Sequence, residues 1–182
     1  MTTTEEKRAL GAVIGFIAGV VATGPMTTAM ILWHRRLPVR ERYPLPPREI
    51  TMKVARAVGV SHRVNEETRS AATLLAHFGY GGLAGAIYGA VSHDIPGPST
   101  AKGVGAGLVL WAGSYLGLLP GAGILKMATE HPARRNLLMI GAHVVWGVAM
   151  ARLAELLKEE AQAPGLQPFS SAIAPHRDVA RR

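Results

Sequence analysis

The sequence predicts an all-α fold: an integral membrane bundle of four transmembrane helices with a short amphipathic helix in the first loop. Two observations carry this. From Ala9 to Trp33 there is no Asp, Glu, Lys or Arg, and a bilayer core about 30 Å thick needs about 20 helical residues. Two further stretches repeat the pattern, at about 70–92 and 103–125, and a fourth span at about 136–157 is free of charge as far as the turn holding Arg152. The modest overall figures, 48% hydrophobic and a mean hydropathy of +0.18, reflect dilution by a polar loop and a polar tail.

The first span covers about 9–33, after a short N-terminal tail at 1–8. A soluble bundle would need a polar stripe facing water on each helix, and none of the first three spans has one. The apolar run is about twice the h-region of a signal peptide, and Glu5 and Glu6 offset Lys7 and Arg8, so a retained helix is expected. The domain therefore occupies 9–158, with a disordered tail at 159–182 marked by Pro164, Gly165, Pro168 and Pro175.

Charge sets the orientation. The net charge is +8, yet the basic residues sit in loops beside spans, which points to membrane topology and away from nucleic acid. The loop 34–69 carries nine Lys and Arg against four Glu, and 126–135 carries three more. The positive-inside bias places both loops in the cytoplasm and both termini outward. These loops also suit anionic lipid headgroups.

Within the first loop, Tyr43-Pro44-Leu45-Pro46-Pro47-Arg48 suggests an extended, polyproline-like path. Ile50, Val54 and Val58 then repeat at i, i+4, i+8, the pattern of a helix lying on the headgroups or against the bundle. Asn65 before Glu66 and Glu67 reads as an N-cap with acids in the first turn.

Small residues recur every fourth position in three helices: Gly11, Gly15 and Gly19; Gly81, Gly85 and Gly89; Gly113, Gly117 and Gly121. Such stripes let helix backbones approach closely in lipid. They are expected to serve contacts between the four helices, ahead of a dedicated oligomer interface.

Polar residues at depth are the informative ones. His77 lies about seven residues into the second span and His143 about eight into the fourth, both counted from the basic face, so the imidazoles should share a level. Pro25 and Pro120 fall near that level and are expected to break their helices, freeing carbonyls near Val21 and Leu116. Tyr80, Ser114, Tyr115 and Trp146 complete a candidate polar pocket, with Thr23, Thr27 and Thr28 facing it from the first helix. The functional reading is a pocket for a proton, an anion or a small polar ligand; the structural one is that each histidine bonds a neighbouring helix. A bis-histidine haem b, with Gly81 or Gly85 making room for the porphyrin, is a minor alternative.

His34, His62, His93, His131 and His176 show no metal-ligand spacing and are expected to be solvated. The chain has no Cys, which excludes disulfides and thiolate metal sites. There is no P-loop, nucleophile elbow, H-E-x-x-H or paired intramembrane carboxylate, so no catalytic residues, metal or cofactor are expected, and an enzyme is disfavoured.

The glycine-striped first helix, the Pro44-Leu45-Pro46-Pro47-Arg48 loop, the glycine-rich helix bearing His77, and Gly141-x-His143-x-x-Trp146 resemble the YagU-like family of small bacterial inner-membrane proteins of unknown function. The resemblance covers about residues 10 to 150, although the third span and the loop after it match only in hydrophobic character. It implies a multi-span helical fold in a bacterial inner membrane and no settled activity. The expectation is a non-enzymatic accessory or scaffold component, whose partners are the lipid bilayer and either another membrane protein or a homo-oligomer. The alternative is a small transporter or proton-linked permeation protein built on the His77/His143 layer.

Overall fold

In the computed structural model, which describes residues 3–57, 59 and 65–162, the chain is all-α. Helix α1 spans Thr4–His34, α2 Pro46–Ala57 and α3 Glu66–Val91. Helix α4, Ser99–Ala112, runs through a π-helical segment, Gly113–Leu118, into a last turn, α5, Leu119–Gly121. Helix α6 spans Ala133–Gln162. Four stretches, Thr4–His34, Glu66–Val91, Ser99–Gly121 and Ala133–Ala161, are long and apolar enough to cross a membrane.

Local chemistry explains where these helices begin and end. Thr3 and Glu6 form a capping box: the Thr3 hydroxyl accepts from the Glu6 N–H at 3.2 Å and the Glu6 carboxylate accepts from the Thr3 N–H at 2.7 Å. Helix α1 therefore starts inside the expected N-terminal tail. At α3 the Asn65 side chain accepts from the Thr68 N–H at 2.8 Å, with Glu66 and Glu67 in the first turn. The third span ends at Gly121, short of Leu125, because Pro120 cannot continue the hydrogen-bond ladder and Gly123 turns back at φ 67°. The expected polyproline path is also cut short. Pro46 and Pro47 open α2, since the first helical turn leaves its N–H groups unbonded and tolerates proline.

Helices α3, α1, α6 and α4 lie side by side in that order, and α2 rests on α3. Glycine carbonyls set the first contact. A Cβ at Gly11, Gly15 or Gly19 would fall onto the carbonyl oxygen of Gly89, Gly85 or Gly81, respectively. Helix α6 meets α4 in the same way, through Gly103 against Gly147 and Gly107 against the His143 carbonyl. The fully buried side chains Trp146, Met30, Met150 and Thr23 fill the centre. Helices α3 and α4, at the two ends of the row, are not packed along their length.

The outer faces are apolar: Leu75 is 77% exposed and Val109 73%. In water such surfaces would be unfavourable at roughly 25 cal/mol per Å², whereas lipid tails suit them. At the end holding the N-terminus, Arg8 pairs with Asp94 at 3.1 Å, and Lys102 Nζ donates to the Ser92 carbonyl at 3.0 Å. That lysine neutralises the carbonyl end of α3. The opposite end carries the basic loop and α2. Val58, His62, His176 and the expected tail from 163 onward lie outside the described residues.

Candidate functional site

A cavity of about 270 Å³ opens between the helices on the α2 side. All six residues of the expected polar pocket, His77, Tyr80, Ser114, Tyr115, His143 and Trp146, line it. The common level of His77 and His143 follows from α3 and α6 starting on the same face and each running about ten residues inward. Helix α1 adds Thr23, Met26 and Met30, α2 adds Pro46, Pro47, Ile50 and Thr51, and α6 adds Met139. Of the apolar stripe expected on α2, Ile50 faces this cavity while Val54 is exposed. Sequence reasoning missed the methionines and the paired prolines, which carry no polar signal.

The six polar side chains differ in what they leave free. The His143 Nδ1–H donates to the Met139 carbonyl at 2.7 Å, so in the neutral ring Nε2 is an acceptor. Its ring stands edge-on to Tyr115 at 5.9 Å, and Tyr115 stacks on Trp111 at 6.4 Å. The buried Nε2 of His77 has no hydrogen-bond partner among the described residues. The Tyr80 and Ser114 hydroxyls bond each other at 2.9 Å, joining α3 to the π-helical segment. Trp146 is committed to the fold: its indole N–H donates to the Gly19 carbonyl at 3.2 Å. Thr23 lines the cavity, while its hydroxyl donates to the same carbonyl at 2.8 Å.

Several expectations are corrected by this geometry. Pro25 does not break α1, which runs on to His34, and its side chain is exposed away from the cavity. Thr27 and Thr28 do not line the cavity and bond their own helix, to the Thr23 and Gly24 carbonyls. Near Pro120 the helix widens into the π-helical turn, where the Leu119 N–H reaches the Ser114 carbonyl. Gly113, Gly117 and Gly121 have no neighbour within 4 Å where a Cβ would stand; the α4 glycines that meet α6 are Gly103 and Gly107. The room expected at Gly81 or Gly85 for a porphyrin is filled, at Gly81 by Thr23 and Trp146 and at Gly85 by Gly15 and Gly19.

The loop residues expected to be solvated also form specific bonds. His34 Nε2 donates to the Tyr43 carbonyl at 3.1 Å, the Tyr43 hydroxyl bonds His131 Nδ1 at 2.8 Å, and His93 pairs with Asp94 at 2.8 Å. Arg135, read as a headgroup-binding loop cation, is 4% exposed. It donates to the Tyr43 and Pro44 carbonyls at 3.1 and 2.6 Å and lies 3.5 Å over the Tyr43 ring. This contact anchors the segment leading into α2, and no spacing rule in the sequence pointed to it.

No curated protein and no solved structure matches the chain. One family model does, over residues 10–164, and nothing ties that match to the YagU-like family in particular. The matched stretch takes in α1 from Leu10 onward, the other three long apolar helices, α2 and every residue lining the cavity, and by that extent the chain belongs to DUF6789, a family of unknown function.

Proposed function

We propose that the protein is a non-enzymatic, multi-pass protein of the bacterial inner membrane that holds a small molecule in the cavity between its helices, with the basic loops in the cytoplasm and both termini outward. One observation supports this above others: a cavity reaches His77 and His143, and each ring keeps a nitrogen without a partner among the described residues. Unpaired polar atoms in a low-dielectric interior are costly, and a ligand that satisfies them offsets that cost. Native mass spectrometry of protein extracted in mild detergent tests the reading. A bound small molecule should accompany wild-type protein and be lost from Ser114→Trp, whose indole fills the space; wild-type protein that is always bare counts against it.

The accessory or scaffold role is the second reading, favoured by the unpacked side between α3 and α4. A partner helix or a second copy seated there would cover the opening. Cross-linking in native membranes from Leu118→Cys distinguishes the two readings, since a scaffold gives a discrete adduct and a free ligand-binding protein gives none. A transport role on the His77/His143 layer would require such a second copy to complete its wall.

A further inference from the structure

Resting on the ligand-binding reading, we infer that the cavity takes a neutral, lipid-soluble molecule bearing a hydroxyl group, an alcohol or phenol with an apolar body, and that the molecule enters sideways from the bilayer between α3 and the π-helical segment.

The chemistry of the lining selects the class. Among the described residues that line the cavity there is no Asp, Glu, Lys or Arg, so a carboxylate, phosphate or ammonium head would lose its hydration without gaining a counter-charge from them. The body of the ligand meets Met26, Met30, Ile50, Leu110, Leu118 and Met139. Its head meets a bare acceptor, because a carbonyl only accepts and the Met139 carbonyl therefore fixes the proton of His143 on Nδ1. An acceptor at His143 Nε2 calls for a donor from the ligand. Between them Tyr80 and Ser114 carry two hydroxyl protons and spend one on their mutual bond, which leaves the other to donate. A hydroxyl group answers both needs, giving a proton to His143 and accepting one from the Tyr80/Ser114 pair. An ether or a hydrocarbon of the same shape leaves the His143 acceptor unpaired.

Geometry selects the route. Tyr80 and Leu118 line the cavity and are 43% and 62% exposed, whereas Met30, Met139 and His143 deeper in it are buried. The cavity is therefore most open toward the gap between α3 and the π-helical segment. That is the side on which α3 and α4 are not packed, and the Tyr80–Ser114 hydrogen bond crosses it beside the cavity.

The test uses the full chain in lipid nanodiscs with 4-bromophenol and 4-bromoanisole, which share a body and differ in the hydroxyl proton. Bromine quenches nearby indole fluorescence, and the portion that Trp146→Phe removes reports the cavity. Concentrations are referred to the amount partitioned into empty nanodiscs. The expected result is about tenfold tighter binding of the phenol, falling to about twofold or less in His143→Phe and partly kept in His143→Gln, whose amide oxygen still accepts. Equal binding of the two probes by wild-type protein overturns the hydroxyl class and leaves the ligand-binding reading standing. An undiminished preference in both His143 variants overturns the assignment of the acceptor. Absence of any Trp146-dependent quenching by either probe overturns the ligand-binding reading itself.

Discussion

The hydroxyl of Tyr80 and the hydroxyl of Ser114 lie 2.9 Å apart, one on α3 and the other on the π-helical segment. They bridge the two ends of a row of helices whose extensive packing runs through α1 and α6. The bridge depends on the π-helical turn, because the wider turn alters which residues face inward: Ser114 and Tyr115 are buried while Gly113 and Leu116 are exposed.

Removing this bridge should loosen the side opening more than the fold. Tyr80→Phe is expected to cost about 0.5–1.5 kcal/mol of thermal stability in detergent. In a chain with no native cysteine, a single Leu118→Cys should then react several-fold faster with a lipid-soluble maleimide. An unchanged rate would show that the hydroxyl pair does not hold the opening.

The two kinds of glycine should respond oppositely. Gly85→Leu drives a side chain into the backbone of Gly15 and Gly19 and should destabilise by about 3 kcal/mol or more, above the usual range for overfilled cores because backbone cannot yield. Gly117→Ala meets nothing within 4 Å and should be neutral or stabilising by up to about 1 kcal/mol through helix propensity. Melting temperatures by differential scanning fluorimetry check both.

Arg135 should not be replaceable by lysine. Its planar guanidinium reaches two carbonyls at once while stacking on Tyr43, a geometry an ammonium cannot reproduce. Arg135→Lys and Arg135→Ala should both cost about 1.5–3 kcal/mol and raise the rate of proteolysis between His34 and Pro46, with lysine restoring less than half of the loss.

Much of this was legible in sequence for one reason: lipid forces polar atoms to declare themselves. Runs free or nearly free of charge marked the four long helices, and the alternation of helix direction brought His77 and His143 to one cavity. Gly11, Gly15 and Gly19, and Gly81, Gly85 and Gly89, were legible as packing stripes by spacing alone, since both are regular α-helix, but that these two meet each other was not. The same spacing misled at Gly113, Gly117 and Gly121, because a π-helical turn rotates the residues beyond it off a four-residue stripe. Pro25 misled through propensity: the chain around it stays helical, and an exposed proline costs one hydrogen bond without a break. Arg135 and Tyr43 were invisible as a pair because they are far apart in sequence and their bonds run to backbone carbonyls, which no residue pattern encodes.

The proposed orientation rests on charge and is open to direct labelling. Single cysteines at Arg36 and His93 lie at opposite ends of α1 and α3. A membrane-impermeant reagent applied to intact spheroplasts should label His93→Cys and spare Arg36→Cys. The reverse pattern would invert the topology drawn from the positive-inside bias.

The cavity itself is tested most directly by comparing Met139→Cys with Ala142→Cys. Both native residues are buried on α6, at 3% and 0% exposure, but Met139 lines the cavity and Ala142 does not. Methyl methanethiosulfonate, small and uncharged, should modify Met139→Cys in folded protein at least about tenfold faster than Ala142→Cys, with 4-bromophenol slowing the first reaction only. Equal and negligible modification of the two cysteines would contradict the existence of an accessible space beside His77 and His143.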